Sequence, residues 1–92
     1  MIRLNCFLEA NNAASFDKAL DAATTLAIKS LKHTGCIAYD VFTSETRSGV
    51  FMICETWQDE SALSQHAATP EYQEKVAAIN EAGKMKIEKF VF

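Results

Sequence analysis

The sequence predicts an α+β domain of ferredoxin-like arrangement, β-α-β-β-α-β along the chain, with four strands in one antiparallel sheet and the helices on one face of it. Three observations carry this. Residues 1–8 and 36–43 alternate with the period of a strand. The stretches after Asn11 and after Thr69 combine capping side chains with apolar residues at helical spacing. Residues 36–43 and 50–57 are joined by a polar loop ending in Gly49, the economical layout of a hairpin.

In chain order, Met1 to Leu8 sets Ile2, Leu4, Cys6 and Leu8 on one face and Arg3, Asn5 and Phe7 on the other, giving the first strand. Asn11 to Ser15 supplies cap chemistry, and Phe16, Leu20, Ala23, Ala27 and Leu31 follow at helical spacing. The first helix is expected to stop at Gly35, which tolerates left-handed dihedrals. Cys36 to Thr43 places Ile37, Tyr39 and Val41 on one side and Ala38, Asp40 and Phe42 on the other, and Val50 to Trp57 is the third strand. Gln58 to Ser61 opens a short helical piece carrying Leu63 and His66. Thr69-Pro70-Glu71 then restarts a helix with Thr as cap, Pro in the first turn and an acid at the positive end of the dipole. Tyr72, Val76 and Ile79 form its apolar stripe, Gly83 is expected to end it, and Lys84 to Phe92 is the fourth strand. No repeat, linker or low-complexity segment divides the chain, so residues 1–92 read as a single domain.

Nine Lys plus Arg against twelve Asp plus Glu give a formal charge of −3. Nucleic-acid binding needs clustered cations, and the one basic-rich stretch, Lys84, Lys86 and Lys89, is interrupted by Glu88. The N-terminal residues lack a signal-peptide layout and no apolar run approaches the ~20 residues of a membrane span, so a soluble, cytoplasmic protein is expected. Cys6, Cys36 and Cys54 are widely spaced with no C-x-x-C pair, which argues against a disulfide framework or a zinc site; they read as core fillers.

With 49% hydrophobic residues, the chain either packs one dense core or carries an apolar face that another chain covers. The third strand is apolar on both parities, Phe51, Ile53 and Trp57 on one and Val50, Met52 and Cys54 on the other. No element remains to cover the second face, and an exposed apolar sheet of that size exceeds what soluble monomers show. A homodimer packed sheet on sheet through the open face is expected.

Asn5, Glu55 and Trp57 are assigned to the helix-facing side of the sheet, together with Tyr39. The short helix after Asp59 brings His66 back toward that face, beside Tyr72. Together they would line a small apolar pocket with an indole wall, a titratable imidazole and one or two hydroxyls. Each also suits a structural place: His66 as a hydrogen-bonding corner residue, Trp57 and Tyr72 as core, Asn5 at a strand end, and Glu55 as the partner of a lysine.

The run Cys36-Ile37-Ala38-Tyr39, then Phe51, Glu55-x-Trp57-x-Asp59, Ala62-Leu63, His66-x-x-Thr69-Pro70-x-Tyr72, resembles the antibiotic biosynthesis monooxygenase domain of the dimeric α+β barrel proteins. The resemblance spans essentially the whole chain and is strongest from Gly35 to Tyr72. It implies an oxygenase of quinols or small hydroxylated aromatics that uses no cofactor and no metal. An electron-rich ring, once deprotonated, itself reduces O₂, so the partners would be a small-molecule substrate and O₂. In that reading His66 is the general base, Trp57 stacks on the ring, Asn5, Tyr39 and Tyr72 hydrogen-bond to oxygens, and Glu55 completes the substrate-binding set.

Other functions remain open on the same residues. Related isomerases of small phosphorylated dicarbonyls also carry His66-x-x-Thr69-Pro70-x-Tyr72, and such a substrate would want a cationic anchor, for which Arg3 is the candidate. A non-catalytic small-molecule binding protein is a third reading. Haem degradation is implied more weakly, because the interval from Trp57 to His66 matches the general monooxygenase pattern better. An RNA-binding module is suggested only by Arg47-Ser48-Gly49-Val50-Phe51 and fails where Cys54 and Glu55 replace the second stacking aromatic.

Overall fold

A computed structural model describes all 92 residues and pairs the four alternating segments into one antiparallel sheet. The elements are β1 (Ile2–Ala10), α1 (Ala13–Ser30), β2 (Cys36–Thr43), β3 (Val50–Trp57), α2 (Glu60–Ala67), α3 (Pro70–Glu81) and β4 (Gly83–Val91). The strand order is β2-β3-β1-β4, the ferredoxin-like α+β fold expected, with the second helical region divided into two helices.

Register decides which side chains meet. Leu4 pairs with Glu55, Cys6 with Ile53 and Leu8 with Phe51, and on the far strand Tyr39 also pairs with Glu55. Directly paired residues share a face, so Glu55 and Tyr39 lie on the side that the helices cover. The core there is built on Leu8, Phe51 and Trp57 from the sheet, with Leu26 of α1 and Ile79 of α3, all fully buried. Each such side chain contributes about 1.5–3 kcal/mol by leaving water.

The same register corrects the placement of Asn5. It pairs with Cys54 and Glu88, so it shares the open face with them and lies opposite Glu55 and Trp57. Arg3, on the same parity, donates from Nε to the Thr56 hydroxyl at 3.2 Å, also on the open face. Ile37 departs from the expected alternation as well: the β2–β3 register shifts between Cys36 and Ala38, and this bulge leaves Ile37 exposed.

Helix α1 begins at Asn12, whose side chain accepts from the Ser15 amide at 2.8 Å. Its buried face is Ala19, Ala22, Ala23, Leu26, Ala27 and Ser30, whereas Leu31 lies beyond the helix and is exposed. Small residues let the helix lie close to the sheet, so the buried stripe is the alanine one and the larger Phe16 and Leu20 sit at its margin, half-buried. The helix ends at Ser30, before the expected stop at Gly35. Gly35 does take a left-handed conformation (φ 81°), but in the turn into β2, where an added Cβ would collide with Ala62 of α2.

Helix α3 starts as expected, with the Thr69 hydroxyl accepting from the Tyr72 amide and Pro70 in the first turn. It ends at Glu81, and Gly83 belongs to β4. There a Cβ would strike the Glu9 carbonyl oxygen of β1, so Gly83 serves strand-to-strand approach and not the helix end. All three helices lie on one sheet face, leaving Phe42 52% and Phe90 48% exposed on the other side. No helix is long and apolar enough to cross a membrane.

Candidate active site

Between the helix-facing side of the sheet and α3 lies a cavity of about 310 Å³, at the small end of ligand pockets and suited to a compact aromatic. Its floor is Leu4 and Cys6 of β1 with Ile53 and Glu55 of β3, and Tyr39 of β2 closes one side. Leu63 of α2, Tyr72, Val76, Ile79 and Asn80 of α3, and Met85 and Ile87 of β4 form the rest. The lining is apolar except for the Tyr39 and Tyr72 hydroxyls, the Asn80 amide, and a single ionisable carboxylate, Glu55.

Glu55 is 4% exposed. Burial raises its pKa to about 7, against the opposing pull of hydrogen bonding from Trp57 and the Tyr39 side chain. The Trp57 indole N–H donates to Glu55 Oε1 at 2.9 Å. A carboxylate that titrates at neutral pH inside an apolar cavity is matched to general-base work. Burial, with Glu55 next, pushes the Tyr39 hydroxyl far up, and acts the same way on Tyr72, so both remain neutral donors. Burial, followed by Glu55 and Cys54, also pushes the Cys6 thiol up to about 12, which removes it as a nucleophile at neutral pH.

His66 is 1% exposed and lies behind this surface. Its ring centroid is 4.4 Å from Trp57, 4.9 Å from Tyr72, 5.8 Å from Tyr39 and 5.1 Å from His33. Burial lowers its pKa to about 4, with His33 acting in the same direction and Glu71 against it. The imidazole is therefore neutral at neutral pH, and its Nε2, 4.0 Å from Glu55 Oε1, makes no ion pair there. That Nε2 has no hydrogen-bond partner. Its Nδ1 sits 2.9 Å from Nδ1 of His33, whose Nε2 is 3.8 Å from Glu71 Oε2.

Of the residues expected to share the pocket, Glu55, Tyr39 and Tyr72 line it. Trp57 and His66 form a second layer behind them, Trp57 being fully buried with its indole spent on Glu55. Trp57 thus presents no open ring face for stacking, and His66 faces the carboxylate where a substrate was expected. Asn5 is on the other side of the sheet, as is Arg3, and no Lys or Arg lines the cavity to anchor a phosphate. Sequence reading missed Cys6, Leu63 and Asn80 in the lining, and His33 and Glu71 beside His66. His33 lies between α1 and β2, where no periodicity marks it; its one signal is that the chain has only two histidines. No group of three or more His, Cys, Asp or Glu is arranged to hold a metal ion.

Comparison with known proteins agrees with this architecture. A solved protein of unknown function from Bacteroides thetaiotaomicron, described as a possible oxidoreductase, is 49% identical, with a TM-score of 0.94 over 99% of this chain and 96% of that one. A solved antibiotic biosynthesis monooxygenase is 24% identical, with a TM-score of 0.89 over 100% and 98% of the two chains. A conserved protein from Methanosarcina mazei is 22% identical, with a TM-score of 0.88 over 97% and 89%. At these last two identities the likeness shows the fold alone. No curated protein matches the sequence significantly. The family model of antibiotic biosynthesis monooxygenases matches residues 1–78, which takes in β1 through most of α3 and every cavity residue from Leu4 to Val76. The chain belongs to the antibiotic biosynthesis monooxygenase family.

Proposed function

We propose that the protein is a monooxygenase of quinols or small hydroxylated aromatics that needs no cofactor, and that Glu55 is its general base. The observation that carries this reading is a lone carboxyl, raised to about 7 by burial, in a mostly apolar cavity of about 310 Å³. A phenolic substrate supplies the electrons itself. Glu55 takes the hydroxyl proton, the resulting phenolate transfers electrons to O₂, one oxygen atom joins a ring carbon, and the other leaves as water. For a quinol plus O₂ the products are a hydroxyquinone and water. Tyr72, held neutral, donates to the developing oxyanion, Tyr39 hydrogen-bonds to Glu55, and the apolar walls exclude bulk water. General-base catalysis of this kind is worth about 10²–10⁴-fold. His66, which lies outside the cavity, supports Glu55 and does not meet the substrate.

The working unit is a homodimer joined through the open sheet face. Phe7, Phe42, Met52, Cys54 and Phe90 share that face, and Asn5 leaves a buried side-chain oxygen there with no partner, a group that a second chain could satisfy. Three unpaired cysteines fit a reducing, cytoplasmic setting.

The test is oxygen consumption with a panel of quinols and hydroxylated aromatics, with ¹⁸O₂ and mass analysis of the product. The expected result is stoichiometric uptake with one ¹⁸O atom in the organic product. Absence of uptake across the panel contradicts the oxygenase reading.

A further inference from the structure

His66 buries a ring nitrogen that has no partner, and the residues around it fix which nitrogen that must be. Glu71 is the outermost member of the row. Hydrogen bonds from its own backbone and from Thr69, followed by His33 and Lys29, hold its carboxyl below the usual range, so it is ionised and can only accept. Its Oε2 lies 3.8 Å from His33 Nε2 and favours the hydrogen there. An imidazole whose single hydrogen is on Nε2 has a bare Nδ1. The 2.9 Å contact between the two Nδ1 atoms needs one hydrogen, which His66 must supply. A neutral His66 that carries its hydrogen on Nδ1 has none on Nε2, and Nε2 is the buried, unpartnered atom 4.0 Å from Glu55 Oε1.

We propose that Glu71 and His33 lock His66 as the Nδ1–H tautomer, so that its bare Nε2 faces Glu55 and stabilises the protonated carboxyl, making His33 a positioning residue for the catalytic base. This rests on the reading of Glu55 as that base. While Glu55 is ionised, two acceptors face each other with no hydrogen between them. When Glu55 takes the substrate's hydroxyl proton, the substrate becomes a phenolate, and the new carboxyl O–H can close the 4.0 Å gap to Nε2 into a hydrogen bond. A hydrogen bond available to the acid and not to the anion raises proton affinity about tenfold. The other titratable groups around Glu55, namely Cys6 from β1, Cys36 and Tyr39 from β2 and Tyr72 from α3, are pushed up by burial and stay neutral. His33 is faced by His66 of α2 and Glu71 of α3, with Lys29 acting on Glu71 from α1 and Lys32 beside His33 in the chain.

The lock is read without substrate. Long-range ¹H–¹⁵N spectra of the imidazoles at pH 8 should show His66 with hydrogen on Nδ1 and His33 with hydrogen on Nε2. A ¹³C titration of the Glu55 carboxyl is then compared between the wild type and His33→Phe, which keeps a ring against His66 and removes both nitrogens. Freed of the lock, His66 places its hydrogen on Nε2 and donates to the carboxylate, so the Glu55 midpoint should fall by about one pH unit. A wild-type His66 that carries hydrogen on Nε2, or a Glu55 midpoint unmoved in His33→Phe, overturns the proposal. A chain locked as described in a protein that consumes no oxygen removes the oxygenase reading and leaves the lock intact.

Discussion

Trp57 donates its indole N–H to Glu55 Oε1 at 2.9 Å across a single intervening residue of β3. Successive odd positions of a strand share a face, so the pairing follows from the sequence Glu55-Thr56-Trp57 once β3 forms. The bond opposes burial, which alone would drive the carboxyl further up. Trp57→Phe keeps most of the core volume and removes the donor. The Glu55 midpoint should therefore rise, and the acid limb of the rate–pH profile should move up by about one pH unit. An unmoved limb would show that the indole does not tune the base.

Glu55 also links pH to stability. Its folded pKa, about 7, lies above its unfolded value of 4.5. The folded state binds this proton more tightly, so the stabilisation is full below pH 4.5 and is lost as pH rises through about 7. Glu55→Gln abolishes the dependence. The variant should be more stable than wild type at pH 8 by up to about 3 kcal/mol, the difference shrinking as pH falls toward 5. Urea denaturation at the two pH values measures it, and equal differences at both would refute the assignment.

Gly35 sets where α2 can sit. Its φ of 81° and the absence of a Cβ allow Ala62 of α2 to pack directly on it, and α2 carries His66. Gly35→Ala should cost about 1–3 kcal/mol through the left-handed backbone and the displaced helix. Chemical denaturation gives the stability, and the His66 imidazole resonances should shift with it. A variant as stable as wild type would show that the packing is looser than the geometry indicates.

The open sheet face predicts association. Sedimentation velocity should give twice the 10.2 kDa chain mass at micromolar concentration, and Phe42→Glu, which puts a charge on the edge strand β2 of that face, should shift the protein to monomer. A wild-type monomer would contradict the dimer.

Much of the fold was legible because it rests on local periodicity. Strand Cys36–Thr43 occupies the residues that alternation marks, Val50–Trp57 those that the hairpin layout marks, and the Thr69-Pro70 start of α3 is where cap chemistry places it. What failed needed partners distant in sequence. Asn5 and Glu55 look alike in sequence, both polar in apolar strands, yet Leu4 is the residue that pairs with Glu55, and a shift of one residue reverses the face. The sequence points His66 and Trp57 to one place, but their order in depth, carboxylate first and imidazole behind, depends on how close α2 packs at Gly35. His33 was invisible because a turn residue carries no periodic signal, and only the 2.9 Å contact with His66 gives it a role.

The central claim, that Glu55 is the base, is tested most directly by the pH dependence of oxygen uptake in wild type and Glu55→Gln on the best substrate of the panel. The base must be ionised to act, so the wild-type rate should rise with pH through a midpoint near 7. Glu55→Gln should lower the rate about 10²–10⁴-fold and lose that midpoint. A variant that keeps the wild-type rate and the same rise near neutral pH would contradict the account.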